Sequence, residues 1–213
     1  ARIIAKILVP DTEKVRNVSI YDPSAGSGTL LLALAHEIGE EDCTLYTQDI
    51  SQKSNEFLRL NLILNNLVHS LDNVVHGNTL LNPAHLNKEG NKLAQFDYIV
   101  SNPPFKTDFS DYRDKLEDDK YSDRFFSGVP QIPANKKESM PIYLLFIQHI
   151  IYSLKESGKA AIVVPTGFLT GKSKIEMKIR DEIISNNWLR GAISMPANIF
   201  ATTGTNVSII FID

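Results

Sequence analysis

Short apolar runs alternate with stretches of helical periodicity along this chain, and that alternation narrows its possible folds more than any other feature. Strand-like runs occupy Asn17–Tyr21, Thr44–Gln48, Asn73–His76 and Phe96–Ser101. Helical stretches fall between them at Thr29–Ile38, with Leu30, Leu31, Leu34 and Ala35 on one side, and from about Ser51 to Asn66. In the second helix Ser51 is placed as the cap, and Phe57, Leu60, Leu64 and Leu67 repeat at the helical period, so they are expected to face the core. Strands that alternate with helices build a parallel, doubly wound α/β sheet. Further on, a helix from about Pro141 to Leu154, a buried strand Ala160–Val164 and a helix from about Ser173 to Asn187 continue the pattern. Leu189–Met195 and Asn206–Ile212 are close enough to form a terminal hairpin, which makes one of them antiparallel to the rest.

Between Lys106 and Ser139 the pattern lapses. That stretch is densely charged at first and then broken by Gly128, Pro130 and Pro133. It reads as a long loop inserted into one catalytic domain of residues 1–213, and loops of that length are functional or disordered. Ala1 is not a methionine and stands within an apolar-periodic stretch (Ile3, Ile4, Ile7, Leu8), so the chain is expected to be a domain of a longer protein.

Two loops carry chemistry. The first, Asp22-Pro23-Ser24-Ala25-Gly26-Ser27-Gly28, lies between a strand and a helix. Glycines there let the backbone turn tightly and approach a ligand, and a helix start offers unpaired N–H groups to an anion. A pyrophosphate loop would show three glycines spaced G-x-G-x-x-G, whereas this loop has two, preceded by an acid and a proline. Asp22 suits an ammonium group. A ligand with both a carboxylate and an ammonium fits, such as the methionine end of S-adenosylmethionine; the competing reading is a tight structural turn. Asp49 ends the second strand about twenty residues later, where an acid can accept from ribose hydroxyls, and Ile50 is placed to pack on an adenine ring.

The second loop is Ser101-Asn102-Pro103-Pro104-Phe105, at the exit of the fourth strand. The prolines fix the backbone and remove two N–H donors, leaving acceptors: the Asn102 side-chain oxygen and the Pro103 carbonyl. Two neutral acceptors suit an aromatic amine whose lone pair must be freed for attack, and Phe105 offers a face on which a base stacks. A duplex adenine reaches such a pocket only if it is flipped out of the stack.

DPSAGSG, the acid of TQDIS and NPPF, in that order, resemble the amino-methyltransferases of DNA. More narrowly, the chain resembles the modification subunit of type I restriction-modification systems. PIYLLFIQHIIYSLKESGKAAIVVPTGFL, the segment Trp188–Phe200 and TGTNVSIIF extend the resemblance over nearly the whole length. It implies a Rossmann-like, mostly parallel sheet of seven strands with the last inserted antiparallel. It also implies S-adenosylmethionine held by the glycine loop and Asp49, and an adenine of DNA held by Asn102 to Phe105. The family's third strand usually ends Gly-Asp against the cofactor's adenine; here Gly77-Asn78 keeps an acceptor and loses the charge. An aromatic-Thr-Pro motif expected before the first helix does not occur in this sequence.

Composition bears on partners and compartment. Type I modification subunits work with a specificity subunit that reads DNA and with a restriction subunit. The net charge of −3, with no basic stripe, agrees with a DNA grip shared among chains. Cys43 is the single cysteine, which rules out an internal disulfide, fits a reducing cytoplasm and reads as a small buried residue. No His or Cys pairs have metal-ligand spacing, His149 reads as a packed core histidine, and no apolar run spans a membrane. The competing functions are a methyltransferase of this fold acting on RNA guanine or protein glutamine, and a scaffold that binds the cofactor without turnover.

Overall fold

A computed structural model describes residues 1–10, 14–196 and 205–213. Its strands are β1 (Val18–Asp22), β2 (Cys43–Asp49), β3 (Val74–His76), β4 (Phe96–Ser101), β5 (Leu154–Pro165), β6 (Leu189–Ser194) and β7 (Val207–Ile212). Its helices are α1 (Arg2–Leu8), α2 (Thr29–Ile38), α3 (Gln52–Leu64), α4 (Arg113–Leu116), α5 (Tyr143–Tyr152) and α6 (Lys174–Ser185), with short 3-10 turns between them. The strands form one seven-stranded sheet in the order β3-β2-β1-β4-β5-β7-β6. β1 pairs parallel with β2 and β4, β2 pairs parallel with β3, and β6 pairs antiparallel with β7. The expected mostly parallel α/β sheet with a terminal antiparallel pair is therefore what forms. Residues 197–204 of the connection between β6 and β7, with the Phe200 end of the Trp188–Phe200 segment and the first residues of TGTNVSIIF, lie outside the described residues.

The chain packs as two compact units, residues 1–101 with 153–161, and residues 102–152 with 162–213. In the first, buried and half-buried residues alternate along β2 from Cys43 to Tyr46, as the pleat of a strand requires. Ile20, Leu31, Leu34, Leu45, Leu58, Leu62 and Ile99 are fully buried. Tyr21 stacks on Phe96 with ring centroids 4.4 Å apart, bracing β1 against β4. β5 starts at Leu154, well before its apolar run, because its polar start is held by other means. Lys155 forms an ion pair with Asp97 at 2.8 Å, and Gly158 lies so close to β4 that a Cβ would come 2.9 Å from the Phe96 carbonyl.

α3 corrects one expectation. Ser51 caps it, accepting from the Ser54 amide at 3.2 Å, and Leu67 is buried as expected. The helix, however, buries Asn55, Leu58 and Leu62, and leaves Phe57, Leu60 and Leu64 exposed, Leu64 to 71%. The sequence holds two apolar stripes at helical spacing, and tertiary partners choose between them. Asn55 Nδ2 donates to the Asp49 and Ser51 carbonyls, at 3.0 and 2.9 Å, and Leu58 packs over Gly28.

In the second unit, the stretch from Lys106 to Ser139 sets buried anchors among exposed residues. Phe109, Leu116, Phe125 and Val129 are buried, and so are Arg113 and Arg124. Arg113 donates to the carbonyls of Pro130 and Val129 and pairs with Glu117 and Asp114. Gln148 of α5 accepts from the Ser127 amide at 2.7 Å and donates to the Gly128 carbonyl at 3.1 Å. These polar anchors have no periodicity, so the charged sequence conceals them. His149 is buried, as read from the sequence, and β7 is buried along its whole length while β6 is largely exposed.

Arg113→Met removes the donors for two carbonyls beneath this loop and leaves Glu117 unpaired. It is expected to lower unfolding stability by about 2–3 kcal/mol. Urea unfolding would show this as a lower midpoint at unchanged slope, and early protease cleavage between residues 106 and 139 would accompany it.

Candidate active site

The glycine loop follows β1, and its conformation comes from a few close contacts. Gly26 has φ +54° and Gly28, the N-cap of α2, has φ +84°, a left-handed region that glycine enters without strain. A Cβ on Gly28 would collide with Leu58 Cδ1, so packing also demands glycine there. A Cβ on Gly26 would meet nothing within 4 Å, so the backbone is bare and approachable at that point. The loop closes with the Gly28 amide donating to the Ala25 carbonyl at 2.8 Å, and Ala25 is buried. α2 begins with no side-chain cap and no acid in its first turn, so its first amides suit an anionic group.

Asp22 is 2% exposed. One of its oxygens accepts from the Ser24 amide at 2.9 Å and from Ser101 Oγ at 3.0 Å, while the Ser24 and Ser101 hydroxyls meet at 2.8 Å. Burial pushes this carboxyl up to about 7. The Ser24 and Ser101 donors oppose that rise, and the nearby Asp49 charge adds to it. Thr79, beyond β3, donates to the Pro23 carbonyl at 2.7 Å and Asn61 of α3 to the Ser27 carbonyl at 3.0 Å.

Asp49 ties the same loop from the end of β2. Its Oδ2 accepts from the Gly26 amide and its Oδ1 from the Ser51 amide, both at 2.8 Å. A carboxylate oxygen accepts more than one hydrogen bond, so capacity for a hydroxyl remains. Ile50 is 69% exposed and offers an open apolar face beside it. Asn78 differs from its sequence reading in one respect. Its Oδ1 already accepts from the amides of Leu80 and Leu81, at 3.0 and 3.2 Å, so its amide donor is what it can present outward.

The second loop leaves β4 at Ser101. Asn102 and Pro104 are exposed, Pro103 is buried and Phe105 is half-buried. Phe105 meets Tyr143 of α5 edge-on, with centroids 6.3 Å apart and planes at 78°. Ser101 is fully buried, so Asn102 leaves the sheet directly after a fixed residue. The two prolines follow it and stiffen the backbone from the other side.

The structure thus brings Asp22, Pro23, Ser24, Ala25, Gly26, Ser27, Gly28 and Asp49 into one bonded loop, with Ser101 clipped onto it. Ser101, Thr79, Asn55 and Asn61 received no role from the sequence. Thr79 bonds a residue 56 positions away, and no local pattern could have announced that.

The chain matches the family model described as N-6 DNA Methylase over residues 1–213. It is 30% identical over 217 residues to the type I restriction enzyme MpnII methylase subunit of Mycoplasma pneumoniae, covering 99% of this chain and 38% of that protein. It is 26% identical to the MjaIX methylase subunit of Methanocaldococcus jannaschii, covering 99% of this chain and 36% of that one. The chain therefore spans well under half the length of these relatives. Among solved structures, a type I restriction-modification methyltransferase subunit from Streptococcus thermophilus superposes with a TM-score of 0.82 at 23% identity, over 100% of this chain and 42% of that one. A putative class I S-adenosylmethionine-dependent methyltransferase from Listeria monocytogenes shares the fold at a TM-score of 0.65 and 20% identity, over 98% of this chain and 56% of that one.

Because Asp22 holds its proton more tightly folded than unfolded, its contribution to stability is complete below about pH 4 and is lost as pH rises towards 7. Asp22→Asn removes that loss, so the variant is expected to gain on the parent between pH 5 and pH 8 in denaturant unfolding. A difference independent of pH would contradict the buried proton.

Proposed function

Since the chain belongs to the N-6 DNA methylase family, we propose that it moves a methyl group from S-adenosylmethionine to the N6 amine of a flipped-out adenine in DNA. We assign it the role of modification subunit in a type I restriction-modification system, which the named relatives support. The observation that carries the reading is the Ser101 hydroxyl on Asp22. It anchors the end of β4 to the glycine loop, and the next residue along the chain is Asn102.

The residues fit such a cofactor. Bare backbone at Gly26 and the uncapped start of α2 suit the carboxylate, Asp49 the ribose hydroxyls, and Ile50 and Asn78 the adenine. Asp22 suits the ammonium, whose positive charge favours the ionised carboxylate and so draws off the proton that burial retains. When bound, the sulfonium supplies an electrophilic methyl carbon. Asn102 Oδ1 and the Pro103 carbonyl accept the two N–H bonds of the target amine, which draws its lone pair out of the ring. Pro103 and Pro104 hold those acceptors still, so alignment supplies much of the rate. Phe105 stacks the base, worth roughly 1–3 kcal/mol. No side chain has to take the proton first, because the alkylated amine loses it readily to water.

The charge of −3 supports partner chains for DNA, and we assign a specificity subunit and a restriction subunit to that role, in the cytoplasm. No described helix is long and apolar enough to cross a membrane. The domain extends over all 213 residues in this reading, with the 106–139 loop as part of it.

The test is methyl transfer by the full-length protein with its partners to duplex DNA, RNA and protein. Transfer to adenine in DNA alone is expected; label on RNA or protein would favour a different substrate, and cofactor binding without transfer to any of them would favour a scaffold. Asn102→Ala is expected to abolish transfer while calorimetry shows unchanged cofactor affinity, and joint loss of both would remove its assigned role. Asp49→Ala is expected to weaken cofactor binding about tenfold, through lost charge-assisted hydrogen bonds.

A further inference from the structure

Behind Phe105 stands a ring with an unusual degree of restraint. Tyr143 opens α5 and is 5% exposed. One side of it meets Phe105 and another meets Phe168, edge-on, with centroids 6.0 Å apart and planes at 90°. Its hydroxyl donates to Glu176 Oε1 at 2.9 Å. Burial pushes the phenol up and the Glu176 carboxylate adds to this, so Tyr143 stays protonated and donating.

Glu176 is itself held. Its Oε2 accepts from Ser173 Oγ at 2.7 Å and from the Ser173 amide at 3.2 Å, while Ser173 Oγ accepts from the Glu176 amide, a capping box at the start of α6. Gly171 leaves room for the carboxylate, since a Cβ there would collide with it. One turn on, Arg180 donates to the Phe168 carbonyl at 2.7 Å and the Gly171 carbonyl at 2.5 Å. Packing alone would be served by phenylalanine at this position. A hydroxyl bonded to a carboxylate that a helix cap immobilises also sets the plane of the ring.

We propose that Tyr143 is a positioning residue for Phe105. Its edge, held in orientation through Glu176 and the α6 cap, keeps Phe105 in the pose that stacks the target base. The inference rests on Phe105 being the stacking ring. A half-buried ring that had to be immobilised on binding would return part of its stacking energy as lost rotamer freedom, and a pre-set ring avoids this.

The experiment uses the full-length protein with its partners, and duplex DNA carrying 2-aminopurine at the methylated adenine, whose fluorescence reports flipping. Tyr143→Phe is expected to weaken capture of the base roughly three- to tenfold. With unmodified duplex DNA as the methyl acceptor, the effect should appear in KM for DNA, with kcat and cofactor affinity close to the parent's. Glu176→Ala should behave like Tyr143→Phe, and Glu176→Gln, which keeps an acceptor oxygen, should behave like the parent. In a Phe105→Ala background, Tyr143→Phe should change flipping no further. Parental flipping in Tyr143→Phe, or an equal loss in both backgrounds, overturns the inference. Parental flipping in Phe105→Ala overturns the stacking reading itself and this inference with it.

Discussion

A carboxyl taken out of water at the end of a parallel strand must either be ionised at high cost or keep its proton among neutral partners. Asp22 stands between the two: burial raises its carboxyl to about 7, against the Ser24 amide and the Ser101 hydroxyl that donate to one of its oxygens. That small cluster does two things together. It bends the chain after β1 into the glycine loop, and it joins that loop to the last residue of the neighbouring parallel strand, β4. The rest of the loop is built outward from it. Asp49 grips Gly26 from β2, Thr79 grips Pro23 from beyond β3, and Leu58 fills the space that a side chain on Gly28 would need.

The sheet makes this cluster possible because parallel strands bring their carboxyl ends to the same edge. β1, β2 and β4 each deliver one polar residue there, Asp22, Asp49 and Ser101, while apolar positions before them, such as Ile20, Leu45 and Ile99, lie in the core. A site of this kind tolerates wide variation elsewhere, which agrees with a shared fold at 20–23% identity to solved methyltransferases. Phe105 meets the ring of Tyr143 on α5, whose hydroxyl donates to Glu176 in the capped first turn of α6.

Much of the frame was legible because it follows from local rules. Thr29–Ile38 forms the helix its periodicity indicates, and Phe96–Ser101 ends where two prolines stop any ladder. The loops that bear chemistry stood out because Gly26, Gly28, Pro103 and Pro104 have conformational meanings that do not depend on the fold. What stayed hidden was decided by contacts far apart in sequence. The buried face of α3 was chosen by Asn55 on Asp49 and by Leu58 on Gly28, against an equally periodic stripe through Phe57, Leu60 and Leu64. The 106–139 stretch read as a functional or disordered loop because two of its anchors, Arg113 and Arg124, are charged residues that become buried. Asn78 could be read as an acceptor, and only the structure shows that oxygen spent on the amides of Leu80 and Leu81.

In the proposed reaction, two uncharged oxygens, those of Asn102 and Pro103, stiffened by the Pro103-Pro104 pair, prepare the amine of adenine for methylation. Mass spectrometry of host DNA addresses it most directly, comparing cells that carry the parent gene, a deletion, and the deletion complemented with Asn102→Ala. N6-methyladenine is expected at one sequence motif in the first strain and absent from both of the others. Methylation that survives the deletion, or that the Asn102→Ala gene restores, would contradict that reaction.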